Sequence, residues 1–331
     1  MLFLIPHLFP PARLLETAAQ DLSLPALQTL LARGTPMRCP EEGMEATLCE
    51  ALGVTRQQDW PVAPMTLTVD GGAGDGYWLR ADPVHLRVMR DRIVLADSSV
   101  FELSQQEADA LAATIGQHFG DALHPIPLHP TRWYLQLPHV PQLRTTPLSV
   151  AIGRDIHPLL PQGEAAGPLH ALLNELQMLL FEHPVNQARE ARGELPVNSL
   201  WLWGGGSAPA VPAAHRVMYA RDEAASALGK FCGAQVFPLP AKWDASMLKT
   251  AAVVLLDDLT PAGQCGDAYG WREAIREMEK NWFVPLLAAL RTLDSSGLRV
   301  LDPVNGRGLE LQRMDAWKIW RRPCSLVLAL A

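Results

Sequence analysis

The chain is poor in cysteine and has no paired cysteine spacing. Its 331 residues hold five, Cys39, Cys49, Cys232, Cys265 and Cys324, with no Cys-x-x-Cys among them. An odd, scattered set argues against a disulfide framework and for a reduced, cytoplasmic chain. Positive charge is in short supply too. Lys and Arg total 28 against 35 Asp and Glu, a net charge of −7, so neither nucleic acid nor a membrane surface is expected as a partner. No apolar run is long enough to span a bilayer, and the C-terminal stretch 325–331 reads as a last buried strand. The N-terminal Met1-Leu2-Phe3-Leu4-Ile5-Pro6 lacks a leading Lys or Arg and is interrupted by prolines, which speaks against a signal peptide.

Several familiar chemistries are missing as well. The glycine-rich stretch 71–76 is neither a P-loop nor a dinucleotide fingerprint. Gly205-x-Ser207-x-Pro209 fails the nucleophile elbow, which needs Gly where Pro209 stands. His124, His129 and His139 are separated by prolines and read as loop histidines rather than a zinc site. Neither Cys39 nor Cys49 is expected to carry an activated thiolate.

What is present is apolar residue in quantity, 48% of the chain, enough for one large domain or two moderate ones. Residues 2–6 read as a short buried strand, 27–33 as a helix closed by Gly34, and 65–70 as an alternating strand that runs into the 71–76 loop. From Tyr77 the character changes: 77–81, 84–88, 92–96 and 132–137 read as strands. Ser104-Gln105-Gln106-Glu107 is a capping box that opens a helix to about Phe119. A helix is expected from Gly167 to about Phe181, then an apolar strand 199–203 ending in three glycines. A strand at 216–220, a helix at 223–231, the buried strand Ala252-Val253-Val254-Leu255-Leu256-Asp257 and a long helix 271–290 follow. This alternation predicts an α/β fold with a mainly parallel sheet flanked by helices, and an α+β subdomain inserted into it. The expected division is a core of 1–76 with 166–331, and a subdomain of 77–165. Ligands in such sheets sit at the carboxyl ends of the strands, where Gly204 and Asp257-Asp258 are expected.

The densest motif is His183-Pro184-Val185-Asn186-x-x-Arg189, then Gly193-x-x-Pro196-x-Asn198, then Trp201-Leu202-Trp203-Gly204-x-Gly206 with Pro209 beyond. It resembles the archaeal-type cofactor-independent phosphoglycerate mutases of the alkaline phosphatase superfamily. The segment Pro25-Ala26-Leu27 to Gly34, the Asp257-Asp258 strand end and Ala274-Ile275-Arg276-Glu277-Met278-Glu279 also resemble that family. Trp78-Leu79-Arg80-Ala81-Asp82-Pro83 is similar to a group of uncharacterised bacterial proteins labelled phosphoglycerate mutase. The resemblance covers most of the chain and implies an alkaline-phosphatase-like core, two divalent metals held by Asp and His, and a serine that takes the phosphoryl group.

Those residues can be sought one by one. The resemblance implies a metal-binding Asp at the end of the first strand, where this chain has Ile5-Pro6-His7. It implies a Gly-Ser-Asp-like turn where Gly43-Met44-Glu45-Ala46 stands. It implies a His near Gln264 and Cys265, and an Asp-His pair where Asp302-Pro303 is found. No histidine follows His215. No catalytic residue is therefore assigned, and Asp257 and Asp258 remain as a possible single-ion site. Arg189 and Arg192 are bidentate donors suited to phosphate or carboxylate. Gly204 and Gly206 would let backbone N–H groups approach an anion, and Asn186 and Asn198 would orient it. The competing reading has the glycines making a tight turn, the asparagines capping turns, and the arginines pairing with Glu182, Glu190 or Glu194.

The expected function is a catalytically degenerate phosphoglycerate-mutase-like protein with a regulatory or ligand-binding role. Its partner would be a small phosphorylated or carboxylated metabolite, or a protein, with no cofactor. One alternative is an active metal-dependent mutase or phosphotransferase with a rearranged Mn or Zn site. The other is a protein-interaction scaffold.

Overall fold

The computed structural model describes residues 1–211, 216–244, 247, 252–292, 297–323 and 325–330; His215 and Cys324 lie outside the described residues. The strands are β1 (Leu2–Leu4), β2 (Thr35–Arg38), β3 (Tyr77–Val88), β4 (Ile93–Ala96), β5 (Ile126–His129), β6 (Arg132–Leu137), β7 (Ser199–Gly206), β8 (Val217–Ala220), β9 (Gln235–Pro238), β10 (Ala252–Leu255), β11 (Leu298–Asp302) and β12 (Arg307–Leu311). Two compact units carry them: Met1–Leu52 with Ala213–Ala331, and Gly53–Pro212.

The first unit is built on a seven-stranded sheet of order β2-β12-β11-β1-β10-β8-β9. The neighbours from β11 to β9 run parallel, while β12 is antiparallel to both β11 and β2. β1 and β10 are buried at every position, as a strand covered by helices on both faces must be. Phe3 packs against Trp243 and Trp282, with ring centroids 5.5 and 6.2 Å away.

The long helix expected over 271–290 is an α-helix at Ala268–Met278, a π-turn at Glu279–Phe283 and a further α-helix at Val284–Ala289. Pro285 accounts for the break. It has no N–H to offer the carbonyl of Asn281, and that carbonyl is taken by the Trp243 amide at 2.8 Å. The π-turn also aims buried Glu279 at the helix Pro25–Arg33, whose Ala26 and Leu27 amides it caps at 2.6 and 3.0 Å. Burial raises the Glu279 carboxyl above its ordinary range, against those two amides.

The second unit carries an antiparallel sheet. β3 pairs β7 along one edge, and β6 and then β4 along the other. The break expected between 81 and 84 is absent: β3 runs unbroken for 12 residues. Pro83 is tolerated because it falls between the β6 and β4 registers, where only β7 pairs. Inside this sheet Arg80 donates to Asp82 Oδ1 from Nε at 2.9 Å and from Nη2 at 2.7 Å, and Trp203 Nε1 donates to Oδ2 at 2.7 Å. The guanidinium lies between the Tyr134 and Trp203 rings. The Ser104 capping box is present, and its helix runs Gln105–Phe119.

Three expectations are corrected. Residues 65–70 are not a strand but part of the helix Val62–Val69. Its threonines return their hydroxyls one turn back, Thr66 to Val62 and Thr68 to Pro64 at 3.0 Å each, so β-branched side chains that suggest a strand are accommodated in a helix. Of the stretch 325–331, the described residues 325–330 hold no strand; Leu326–Leu330 is a helix with Leu326 and Leu330 buried on one face. The strand at 199–203 does not join the parallel sheet. It is β7, antiparallel to β3, and all three glycines lie within it. That pairing draws residues 53–76 and 166–212 into the second unit, which is wider than the 77–165 expected.

Removing one partner of the Arg80–Asp82 pair strands a buried charge. Asp82→Leu is expected to destabilise the second unit by about 3–5 kcal/mol, measured by urea unfolding. The double variant Arg80→Leu/Asp82→Leu should lose less than the single one.

Candidate functional site

Residues 183–206 lie within the second unit. His183 caps the helix Pro184–Ala191: its Nδ1 accepts from the Val185 amide at 3.2 Å and its Nε2 meets the Thr114 hydroxyl at 2.9 Å. Burial lowers the His183 pKa. Asn186 is fully engaged. Its Nδ2 donates to the carbonyls of Leu180 and Val197 at 2.8 Å each, and its Oδ1 accepts from the Val197 amide at 2.9 Å. Asn198 pairs in both directions with the backbone of Leu86, at 2.7 and 2.9 Å.

The two arginines sit side by side, facing carboxylates of this same chain. Arg189 is 1% exposed; its Nε donates to the Leu195 carbonyl at 2.9 Å and its Nη1 lies 3.3 Å from Glu107 and 3.4 Å from Glu194. Arg192 is open to solvent and donates to Glu194 from Nε at 2.9 Å and to Glu107 from Nη2 at 2.8 Å. The hydrogen bond from Arg192 holds the Glu194 carboxyl low. Burial would raise Glu107, but Ser104, Arg192 and Arg189 outweigh it and its pKa falls. Glu107 thus closes its own capping box and faces both guanidinium groups. Pairing with Glu194 is readable from adjacency; pairing with Glu107, more than 80 residues earlier, has no local signal.

The glycines are explained by close packing. Gly204 has φ 69° and its amide donates to the Thr145 hydroxyl at 3.2 Å. A methyl group at Gly205 would run into Tyr77 and Leu79, and one at Gly206 into Pro61. The structure therefore brings Asn186, Arg189 and Arg192 together around the 184–191 helix. It leaves Asn198, Gly204 and Gly206 along β7, holding strand to strand.

The carboxyl ends of β1, β10 and β11 form the other candidate region, in the first unit. Asp302 closes β11 and is completely buried. Its Oδ1 accepts from the amides of His7, Val304 and Asn305 at 3.1, 3.0 and 3.3 Å. Its Oδ2 accepts from the Phe9 amide at 2.9 Å and Asn305 Nδ2 at 3.0 Å. His7, at φ 62°, is buried with Nε2 lacking a hydrogen-bond partner, and its ring lies against Gly263 so closely that a Cβ there would clash. Burial lowers the His7 pKa despite the pull of Asp302. Beyond β10, Asp258 receives both Arg221 Nη groups, at 3.0 and 3.2 Å, and Asp257 receives one at 3.5 Å. Burial raises Asp257 even so. Asp267 caps the helix Ala268–Met278.

Two divalent ions need several free carboxylate or imidazole donors converging on each. The residues here do not fit that demand. Asp302 accepts five hydrogen bonds, the Asp257–Asp258 pair faces Arg221, and the described residues contain no cluster of three His, Cys, Asp or Glu able to hold a metal ion. At Gly43-Met44-Glu45-Ala46 the helix Met44–Leu52 begins with no serine in reach of that turn's sequence.

Four substitutions separate these roles. Arg189→Ala empties a buried, multiply bonded position and is expected to cost about 3 kcal/mol. Arg192→Ala, at the surface, should change stability far less. Asp302→Ala leaves buried amides of two loops without acceptors and should cost at least about 3 kcal/mol. Gly263→Ala forces the His7 ring aside, at about 1–3 kcal/mol. Urea unfolding of each purified variant measures the order; an Arg192→Ala loss equal to that of Arg189→Ala would contradict it.

No established family profile matches the chain. It is 36% identical over 101 residues to the 2,3-bisphosphoglycerate-independent phosphoglycerate mutase of Methanothrix thermoacetophila, covering 29% of this chain and 26% of that protein. It is 43% identical over 63 residues to a probable enzyme of the same description from Geobacter sulfurreducens, covering 19% and 16%. The chain thus matches about a quarter or less of the length of these relatives. Among solved structures, the cofactor-independent phosphoglycerate mutase of Thermoplasma acidophilum superposes over 94% of this chain and 88% of its own, at 19% identity and a TM-score of 0.41. The resemblance read from residues 183–206 and their surroundings is borne out: this chain is similar to the cofactor-independent phosphoglycerate mutases.

Proposed function

We propose that this chain is a catalytically degenerate phosphoglycerate-mutase-like protein that acts by binding rather than by turnover. The observation that carries the reading is Asp302. Where the resemblance implies a metal-ligating Asp-His pair, both carboxylate oxygens accept hydrogen bonds from the chain's own loops, and Pro303 follows. Arg221 beside Asp257 and Asp258 supports it further, because a cation would have to displace a guanidinium already held there. The reading includes a regulatory role towards a small phosphorylated or carboxylated metabolite. Arg192 is its exposed donor, and the metabolite would compete with Glu107 and Glu194 for it.

A cytoplasmic setting belongs to the same reading. Cys39, Cys49, Cys232 and Cys265 are free thiols, and burial pushes Cys39 and Cys232 up to about 11. Thiols so shifted are poor nucleophiles. No helix among the described residues is long and apolar enough to cross a membrane.

The test combines turnover with binding. Purified protein loaded with Mn²⁺ or Zn²⁺ is expected to interconvert 2- and 3-phosphoglycerate no faster than its Asp257→Ala/Asp258→Ala variant. Turnover that this variant loses would overturn the reading in favour of a rearranged metal site. In thermal unfolding, either phosphoglycerate well above its dissociation constant should raise the apparent stability, by about 2.7 kcal/mol at a hundredfold excess. Arg192→Ala should abolish that gain; an unchanged gain would place the ligand elsewhere.

A further inference from the structure

We infer that the segment 313–322 of the first unit is a docking surface for an acidic, amphipathic segment of another protein. This stands apart from the proposed function, because it uses neither Arg192 and its carboxylates nor any residue at the carboxyl ends of the parallel strands. The segment reads Arg313-Met314-Asp315-Ala316-Trp317-Lys318-Ile319-Trp320-Arg321-Arg322, four basic residues against one acidic in a chain of net charge −7. It begins with a 3-10 turn at Arg313–Trp317, anchored by buried Asp315 and Ala316. Its large apolar side chains point the other way: Trp317 is 54% exposed, and Ile319 and Trp320 are each 72% exposed. Tryptophan has more apolar surface to bury than any other side chain, so two left open beside an isoleucine mark a contact surface rather than ordinary exterior.

Charge complementarity names the occupant. Asp315, the acid within the segment, is buried and paired with Lys318 at 2.5 Å. Arg313 and Arg322 are exposed and have no carboxylate partner among the described residues. Beside Trp317 lies an open cleft of about 330 Å³, lined by Arg33, Leu287, Ala288, Arg291 and Ala316. Arg33 Nε is buried there without a hydrogen-bond partner, and Arg291 stacks over Trp317 with its guanidinium 4.6 Å from the ring centroid. Apolar side chains thus border a concave site whose polar groups are cationic. A segment with carboxylates on one face and large apolar residues on the other satisfies both features. A lipid surface is flat and would leave the cleft unfilled.

The experiment uses the full chain and fluorescein-labelled helical peptides of matched length, with leucine and phenylalanine on one face and either glutamate or lysine on the other. Anisotropy should show saturable binding of the glutamate peptide and none of the lysine peptide. Raising NaCl from about 50 to 300 mM should weaken it markedly. Arg321→Glu/Arg322→Glu, and separately Trp320→Ala, should each weaken it by about tenfold or more. All three positions are exposed, so far-UV circular dichroism and melting should be unchanged; if the double variant melts early, Trp320→Ala alone carries the test. Equal binding of both peptides, or binding indifferent to these variants, would overturn the inference. So would sedimentation with phosphatidylserine vesicles in place of peptide binding, or a dimer in light scattering that disappears with Trp320→Ala. These last two would assign the surface to a membrane or to a second copy of the chain.

Discussion

The end of the parallel sheet in the first unit depends on a single carboxylate. β1 and β11 are neighbours in the sheet, and the chain leaving β1 must fold back over their carboxyl ends. Asp302 makes that possible by accepting the amides of His7 and Phe9 from one loop and those of Val304 and Asn305 from another. Hydrogen bonds to a charged acceptor contribute about 1.5–3 kcal/mol each, though not additively, against a total stability of about 5–15 kcal/mol for a domain. His7 holds a left-handed backbone there without being glycine, a conformation that persists where its surroundings over-determine it. Asp302 from below, Gly263 against the ring, and the Trp271 indole on the His7 carbonyl at 2.9 Å supply that constraint.

Saturation of this kind recurs through the molecule. Asp82 is closed by Arg80 and Trp203, Glu279 by the start of the helix Pro25–Arg33, and Arg192 by Glu107 and Glu194, while Arg189 is held through Nε and Nη1 and keeps Nη2 without a partner. A buried polar group needs partners or it destabilises the fold, and here the partners come from the chain itself. A metal or phosphate site needs the opposite: lone pairs or N–H groups held in place yet left without an internal partner. The same residue types therefore support two functions, and only the partner list separates them.

Much of the fold was legible in the sequence where the signal is local. The Ser104–Glu107 capping box and the buried run at β10 declare themselves within a few residues, and the helix expected at 223–231 is found at Glu223–Phe231. Competing local signals misled at 65–70, where threonines that favour strands bond back along a helix, and at 326–330, where a run of apolar residues is too short for its period to be told. Partnership at a distance was invisible. Nothing near Ser199 says that β7 will pair with β3, nothing near Arg189 points to Glu107, and nothing near Asp257 identifies Arg221. The roles of the candidate residues were accordingly open in the sequence, because a role is fixed by groups far away in the chain.

That separation explains how a dense motif can be accounted for by packing. Asn186, Asn198, Arg189 and the glycines of β7 each hold one part of the second unit to another. Replacing any of them is therefore penalised by folding alone, whatever ligand is or is not bound. Residues that serve only catalysis carry no such penalty, and an acid at a strand end can be bonded into its own loops, as Asp302 is. Sequence similarity in residues that support the fold follows descent of the architecture. It gives no reason to expect that the reaction has been kept.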